Sequence, residues 1–443
     1  MCFALLDASS NHTYAVGRGM ALSGKFSSMY RYHDRDRDDV IFVIFVLLNC
    51  FNCMSSINIL LNALIIFFLI YKKNKFSLNR FILVSICFLL FFLGYAMISS
   101  FVYVDVIYYP YVVSRLLIFF IALNLLFYKC SFEFVNKKIS ILVLLFLING
   151  FITLASYFNI LNVNYFLAYL DQIGIISRGL LSSQIRSGGL TSYVDSGFMS
   201  LFAFSFIILR EVNNKNLLKL IFLLLVCLVQ ARTPLMFMLF LICIYAFKLG
   251  KKKMYYLIMF VVLVPIVLNI LGKFFPDLMR WASEVMSPST SGSIEGLSDT
   301  IAASWEGYLR EPFLQQLLGT GEKNWVLYSG FSTIATDSGY VGQLIGLGFV
   351  GSFFLIFYVI LLFLSSIKVY LQKDFFHMLV LLLLWLAFFI YNYKGSSFLG
   401  LGISTSFYMI FYIFFLLGSI ENKSKRRYIK YDPKNIITNV SAL

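Results

Sequence analysis

Charge is scarce in this chain. Only 13% of its 443 residues are Asp, Glu, Lys or Arg, against roughly 25% in soluble domains. That excludes a string of soluble domains, although the length alone would accommodate about three. Histidine is nearly absent: the three are His12, His33 and His377. There is no HExxH motif and no Gly-rich phosphate loop, which argues against zinc chemistry and ATP hydrolysis. The seven cysteines (2, 50, 53, 87, 130, 227 and 243) form no framework. Cys50-x-x-Cys53 falls inside an apolar run, where two small hydrophobes are the expected reading. Acids are missing from the centres of the apolar runs, where an ion-coupled transporter needs titratable groups. The first 39 residues are polar and lack the layout of a signal peptide. Met20, Met29 and Met54 are alternative starts.

What is present is apolar. Hydrophobic residues make up 60% of the chain, with 49 Phe and 28 Tyr, as suits aromatic belts at two membrane interfaces. The apolar stretches are continuous rather than alternating, which selects helices over a barrel. Runs of roughly 17–25 apolar residues fall near 40–54, 56–71, 80–100, 107–128, 140–158, 193–209, 216–231, 233–248, 254–271, 338–366, 375–393 and 400–418. The fold class is therefore an all-α polytopic membrane protein with about twelve transmembrane helices and two long outer loops. Residues 40–71 leave two options, two short spans or one long tilted one. The expected order is a polar N-terminal segment (1–39), N-terminal spans (40–158), a first outer loop (159–192), central spans (193–271), a large outer loop (272–336), C-terminal spans (337–418) and a basic tail (419–443).

Basic residues are unevenly shared between the two sides. Alternating the spans puts 27 of the 36 Lys and Arg on one side. Lys and Arg mark the cytoplasm, so both termini lie there. The net charge of +15 then belongs mostly to cytoplasmic loops and the tail, where it attracts anionic headgroups and shows no nucleic-acid pattern. Six of the nine outer cations are arginines (Arg115, Arg178, Arg186, Arg232, Arg280 and Arg310), against eight of the 27 inner ones. Arginine suits bidentate phosphate binding, so this outer set points to an anionic partner. The alternative is that single arginines cap helices or pair with outer acids.

Both long outer segments have texture. Residues 162–176 are apolar but broken by polar residues, which suits a helix lying in the interface. Residues 272–336 hold Trp281, Trp305 and Trp325 with several acids, a composition compatible with carbohydrate. Residues 298–318 read as helical, with Ile301, Trp305, Tyr308 and Leu309 on one face and Pro312 interrupting the pattern. Each loop also carries one arginine followed by ten residues and a glycine: Arg186 with Gly197, and Arg310 with Gly321.

These two spacings resemble the Wzy-type O-antigen polymerase branch of the O-antigen polymerase and ligase superfamily, which has an arginine–ten residues–glycine motif in its two major periplasmic loops. Ala231-Arg232-Thr233-Pro234 lies where the superfamily has a Ser-Arg-small hairpin. Leu317-Leu318-Gly319-Thr320-Gly321 is similar to its Gly-x-Gly turn, and Asp337-Ser338-Gly339-Tyr340-Val341-Gly342 to its re-entry into the membrane. The ligase branch carries His followed by Asn at the position of Asp337, so Asp337-Ser338 favours the polymerase. The match covers residues 180–370, and elsewhere it rests on hydropathy.

The resemblance implies a fold like the membrane-embedded glycosyltransferases that use polyprenyl-linked donors. It implies transfer of an oligosaccharide from undecaprenyl pyrophosphate to the next lipid-linked repeat unit, at the periplasmic face of a bacterial inner membrane. No cofactor or metal is expected. The expected partners are the lipid-linked oligosaccharide, the bilayer, a chain-length regulator and a flippase. Arg186, Arg232 and Arg310 are the expected pyrophosphate ligands, with Arg115 in reserve and Gly197 and Gly321 as loop glycines. For the base, Asp337 comes first, then Glu322 and Asp195. Thr336-Asp337 before an apolar run also suits a helix N-cap. Gly342, Gly346 and Gly348 are read as close-packing positions. An O-antigen ligase and a lipid-linked oligosaccharide flippase are the competing readings.

Overall fold

A computed structural model of the chain describes residues 38–73, 78–102, 108–128, 130–176, 187–210, 214–248, 273, 305, 306, 308, 309, 312–319, 339–371, 375–394, 398, 399 and 402–430. It divides into two compact units, residues 1–42 and 43–443. Among the described residues every regular element is helical. Residues 38–49 form α1. Then follow α2 (Asn58–Lys73), α3 (Arg80–Val102), α4 (Tyr108–Leu126), α5 (Phe132–Tyr157), α6 (Val163–Gln172), α7 (Tyr193–Leu209), α8 (Asn214–Gln230) and α9 (Arg232–Lys248). A short α10 (Phe313–Leu318) precedes α11 (Gly339–Lys368), α12 (Phe375–Lys394) and α13 (Ile403–Lys430).

Among the described residues, seven helices are long and apolar enough to cross a membrane: those over Ser55–Lys72, Arg80–Ile98, Tyr109–Leu126, Phe132–Tyr157, Tyr340–Lys368, Phe375–Asn392 and Ile403–Ile420. Three shorter apolar helices, Val194–Leu209, Asn216–Gln230 and Arg232–Tyr245, accompany them. The chain is thus an all-helical, multi-pass membrane protein. Large side chains point outward as a lipid-facing surface demands: Leu60, Leu64, Phe67 and Tyr71 on α2 are mostly exposed.

Local chemistry explains the helix ends. Pro110 and Pro234 both sit in first turns, of α4 and α9, where a missing N–H breaks no intrahelical bond. Ser131 caps α5 by accepting from the Phe134 N–H, and Ser192 caps α7 by accepting from that of Asp195. Pro312 stands at the N-cap of α10, so the interruption read there marks a helix start.

Two boundaries depart from hydropathy. The helix expected over 140–158 begins at Phe132 and carries Lys137 and Lys138 with it. Lys138 is buried, its ammonium 4.9 Å from the centre of the Phe134 ring, a contact that a running average of hydropathy does not see. Residues 40–71 resolve into two helices. Between α1 and α2 the chain reverses through Asn52 and Met54, both with positive φ, and a 3₁₀ turn over Ser55–Ile57. The run expected at 254–271 lies outside the described residues.

Helix α13 is the hub, touching α4, α5, α7, α11 and α12. Its face is aromatic. Phe411 stacks on Trp385 of α12 with ring centres 3.7 Å apart, while Phe407 and Tyr408 pack against Phe388. Their buried polar atoms are partnered: Trp385 Nε1 donates to Ser366 Oγ at 2.9 Å and the Tyr408 hydroxyl to Phe398 O at 2.8 Å.

The segment expected to form a helix after α5 does so, as α6. It follows α5 through Asn159, Leu161 and Asn162, all with positive φ. Tyr165, Phe166 and Tyr169 are exposed while Leu167 is buried. An apolar exposed face directly after a membrane-length helix suits the headgroup boundary.

Candidate functional site

The site is built at one end of the bundle, opposite the ends that carry Lys72, Lys137, Lys138 and Arg210. The end of α5, the start of α7 and the end of α8 meet through buried polar side chains. Asn149 donates to Ser196 Oγ at 2.8 Å and accepts from the Leu190 N–H at 2.9 Å. Ser200 donates to Gln230 Oε1 at 2.8 Å, and Gln230 donates to Thr153 Oγ1 at 3.0 Å. All five side chains are buried. Gly189, with φ +67°, closes the network: a Cβ there would stand 2.7 Å from Asn149 Oδ1. Only glycine meets both the conformation and the space.

This network holds the return of the first long loop. Ser187 N donates to Val229 O, so the residue after Arg186 is bonded to the α8–α9 hairpin. Arg186 itself lies outside the described residues. Arg232 opens α9, half-buried, with only Ala231 between it and the end of α8. Gly197 faces the same hairpin: a Cβ on it would come within 2.9 Å of Ala231 Cβ and 3.1 Å of Pro234 Cγ. Read from sequence as a loop glycine, Gly197 instead lies inside α7. Its role there is close approach of helix to hairpin.

Asp195 occupies the first turn of α7. Its backbone N–H donates to Ser192 Oγ at 3.1 Å, and its Oδ2 accepts from Thr191 Oγ1 at 3.3 Å. Across from it is Gly402, where a Cβ would lie 3.3 Å from Asp195 Oδ2, 3.6 Å from the Cys50 carbonyl and 3.8 Å from Asn52 Cβ. Thr405 of α13 donates to Asn49 O at 2.5 Å, tying the same turn to α13. Gly402 therefore lies between Asp195 and the α1–α2 turn.

Arg115 stands on the far side of that turn. It is 1% exposed. Its Nη2 donates to Asn52 Oδ1 at 2.6 Å and to Leu48 O at 3.3 Å. Tyr111, an electrostatic neighbour of the guanidinium, donates its own hydroxyl to Ser55 O at 3.0 Å. The structure thus brings Arg115, Asp195, Gly197 and Arg232 to one end of the bundle. Arg310, Gly321, Glu322 and Asp337 lie outside the described residues.

No family model matches the chain, and a search of curated proteins finds no significant match.

The described part of the second long loop packs against other helices, α11 and α3, by close backbone contact. Helix α11 is kinked at Gly348, where φ is 65° and ψ −178°. A Cβ there would fall 2.3 Å from Gly319 N, and one on Gly319 would fall 2.4 Å from both Gly346 O and Gly348 N. Tyr95 Oη lies 3.1 Å from Leu318 O and 2.7 Å from Leu347 O, bridging the two segments. Tyr308 is buried against Val341 and Ile345, while Trp305 and Leu309, expected on the same face, are exposed. Gly346 and Gly348 are close-packing positions, as read, but the partner is the Gly-x-Gly stretch of the loop itself.

Sequence reasoning missed Asn149, Thr153, Ser196, Ser200, Gln230, Asn52 and Gly402. A signal existed: Asn149, Thr153 and Gln230 are polar residues inside apolar runs, close to the run ends facing the outer loops. Uncharged polar residues in such runs seek partners on other helices.

Proposed function

We propose that this chain is a membrane glycosyltransferase that joins undecaprenyl-pyrophosphate-linked oligosaccharide repeat units into O-antigen or capsular polysaccharide. It works at the periplasmic face of a bacterial inner membrane, with about twelve spans and both termini cytoplasmic. The observation that carries this reading is the gathering of a carboxylate, Asp195, with Arg232 and Arg115 at the end of the bundle remote from the lysine-rich helix ends.

The chemistry follows from that set. A hydroxyl of the acceptor unit attacks the anomeric carbon of the donor. The new C–O bond forms as the bond to the pyrophosphate oxygen breaks, and the electron pair leaves on the pyrophosphate. Asp195 or Asp337 takes the hydroxyl proton. Arg232, Arg186 and Arg310 stabilise the charge on the departing pyrophosphate without reorganising water.

The test is the surface glycan of cells whose only copy is a variant expressed at normal level. Arg186→Ala and Arg232→Ala are each expected to leave single repeat units and abolish the long-chain ladder. Normal ladders in both would sink the reading. Loss of all surface glycan in a null strain would favour a ligase. Arg186→Lys with full activity would rule out bidentate recognition at that residue.

A further inference from the structure

The unusual feature of Arg115 is what it does not touch. Nε and Nη1 are buried and make no hydrogen bond among the described residues. No carboxylate there pairs with the guanidinium; its bonded oxygens belong to the Asn52 amide and the Leu48 backbone, and the Tyr111 hydroxyl also lies against it. A buried cation without a counter-charge is strongly unfavourable, and an ionisable group at membrane depth marks a functional position.

Capping does not account for it. Leu48 O closes the end of α1, but it already accepts from Asn58 Nδ2 at 2.6 Å. The Arg115 contribution there is one bond at 3.3 Å from one nitrogen. A neutral donor would serve that purpose without bringing a charge into the bundle. Asn52 is also held with φ 54°, an uncommon conformation off glycine that tends to persist at functional sites. It presents its amide oxygen to Nη2, while the N–H groups of Nε and Nη1 remain unbonded.

We infer that this guanidinium, held through Nη2 by Asn52, is a recognition point for a phosphate-class anion entering at the α1–α2 turn. It rests on the transferase reading only for the identity of the molecule that carries the phosphate. It adds a ligand contributed by a helix to those the long loops offer, on the other side of Gly402 from Asp195. An anion bound there would place its carrier between α4 and the start of α13.

The experiment uses the full chain purified in maltoside detergent, which contains no phosphate, at fixed ionic strength. Thermal unfolding is followed by tryptophan fluorescence while sodium pyrophosphate, or in a separate arm phosphatidylglycerol, is titrated in. The wild-type chain is expected to gain a saturable rise in Tm of a few degrees in at least one arm. A rise with pyrophosphate alone identifies a soluble or diphosphate ligand, and one with phosphatidylglycerol alone identifies a lipid headgroup. Arg115→Met should lose the rise and, freed of an uncompensated charge, unfold no earlier than wild type without ligand. Arg115→Lys should weaken the apparent Kd by roughly tenfold or more, the loss of one charge-assisted hydrogen bond. If neither arm shifts the wild-type Tm, or both variants shift as wild type does, the inference is overturned. A lower Tm of Arg115→Met without ligand, with its response intact, assigns Arg115 to structure alone. Polymer is not read, so failure here leaves the Arg186 and Arg232 test standing, and the reverse holds as well.

Discussion

At the scale of single residues, the site depends on polar groups that need one another. Asn149 serves Ser196 and Leu190, and Gln230 links Ser200 with Thr153. Removing one member leaves its partners buried and unbonded, a penalty of about 1–3 kcal/mol per group. Asn149→Leu is therefore expected to lower the thermal midpoint clearly, while Gly94→Ala, where an added Cβ meets nothing within 4 Å, should leave it unchanged. Asp195→Asn is the complementary case. An Asn oxygen can still accept from Thr191, so the fold should survive, while transfer rates measured on lipid-linked substrate should fall by ~100-fold or more if Asp195 is the base. An unchanged rate would move that role to another carboxylate.

At the scale of elements, the two long loops are anchored in different ways. The first returns through hydrogen bonds to buried side chains, the second through two glycine backbones in contact. Gly348 adopts a φ and ψ open essentially to glycine alone, and its Cβ position is occupied by Gly319 N. Gly348→Ala must straighten α11 or push α10 away, at a cost of about 1–3 kcal/mol or more. A cysteine placed at Gln315 should then react with a maleimide markedly faster than in the wild-type background. Equal rates would mean that the kink does not hold the loop. Hydropathy made most helices legible, and α7 and α12 begin where the apolar runs do. It missed the first two turns of α5, because Lys137 and Lys138 lower the average while their stems stay within the helix. It also left 40–71 undecided, because the turn depends on positive φ at Asn52 and Met54, which a non-glycine sequence does not announce.

At the scale of the whole molecule, charge and hydropathy make a topology that can be tested directly. Alkaline phosphatase is active only where its disulfides can form, outside the cytoplasm. Fused after residue 176 it should be active, and after residue 210 inactive; the opposite pattern would invert the protein and place the site in the cytoplasm. The sequence by itself determined the helical membrane class and the choice of Arg232, Asp195 and Arg115 as residues to watch. These follow from sums over neighbours in the chain: the cost of burying backbone and charge in lipid depends on each segment alone. Only the tertiary structure decided that Asn149, Ser196 and Gln230 form one network, that Gly402 separates Asp195 from Asn52, and that Arg115 is buried with no carboxylate bonded to it among the described residues. Each of those is a pairing between residues far apart in sequence, and a buried polar group is satisfied or left unsatisfied by whichever helix the fold brings against it.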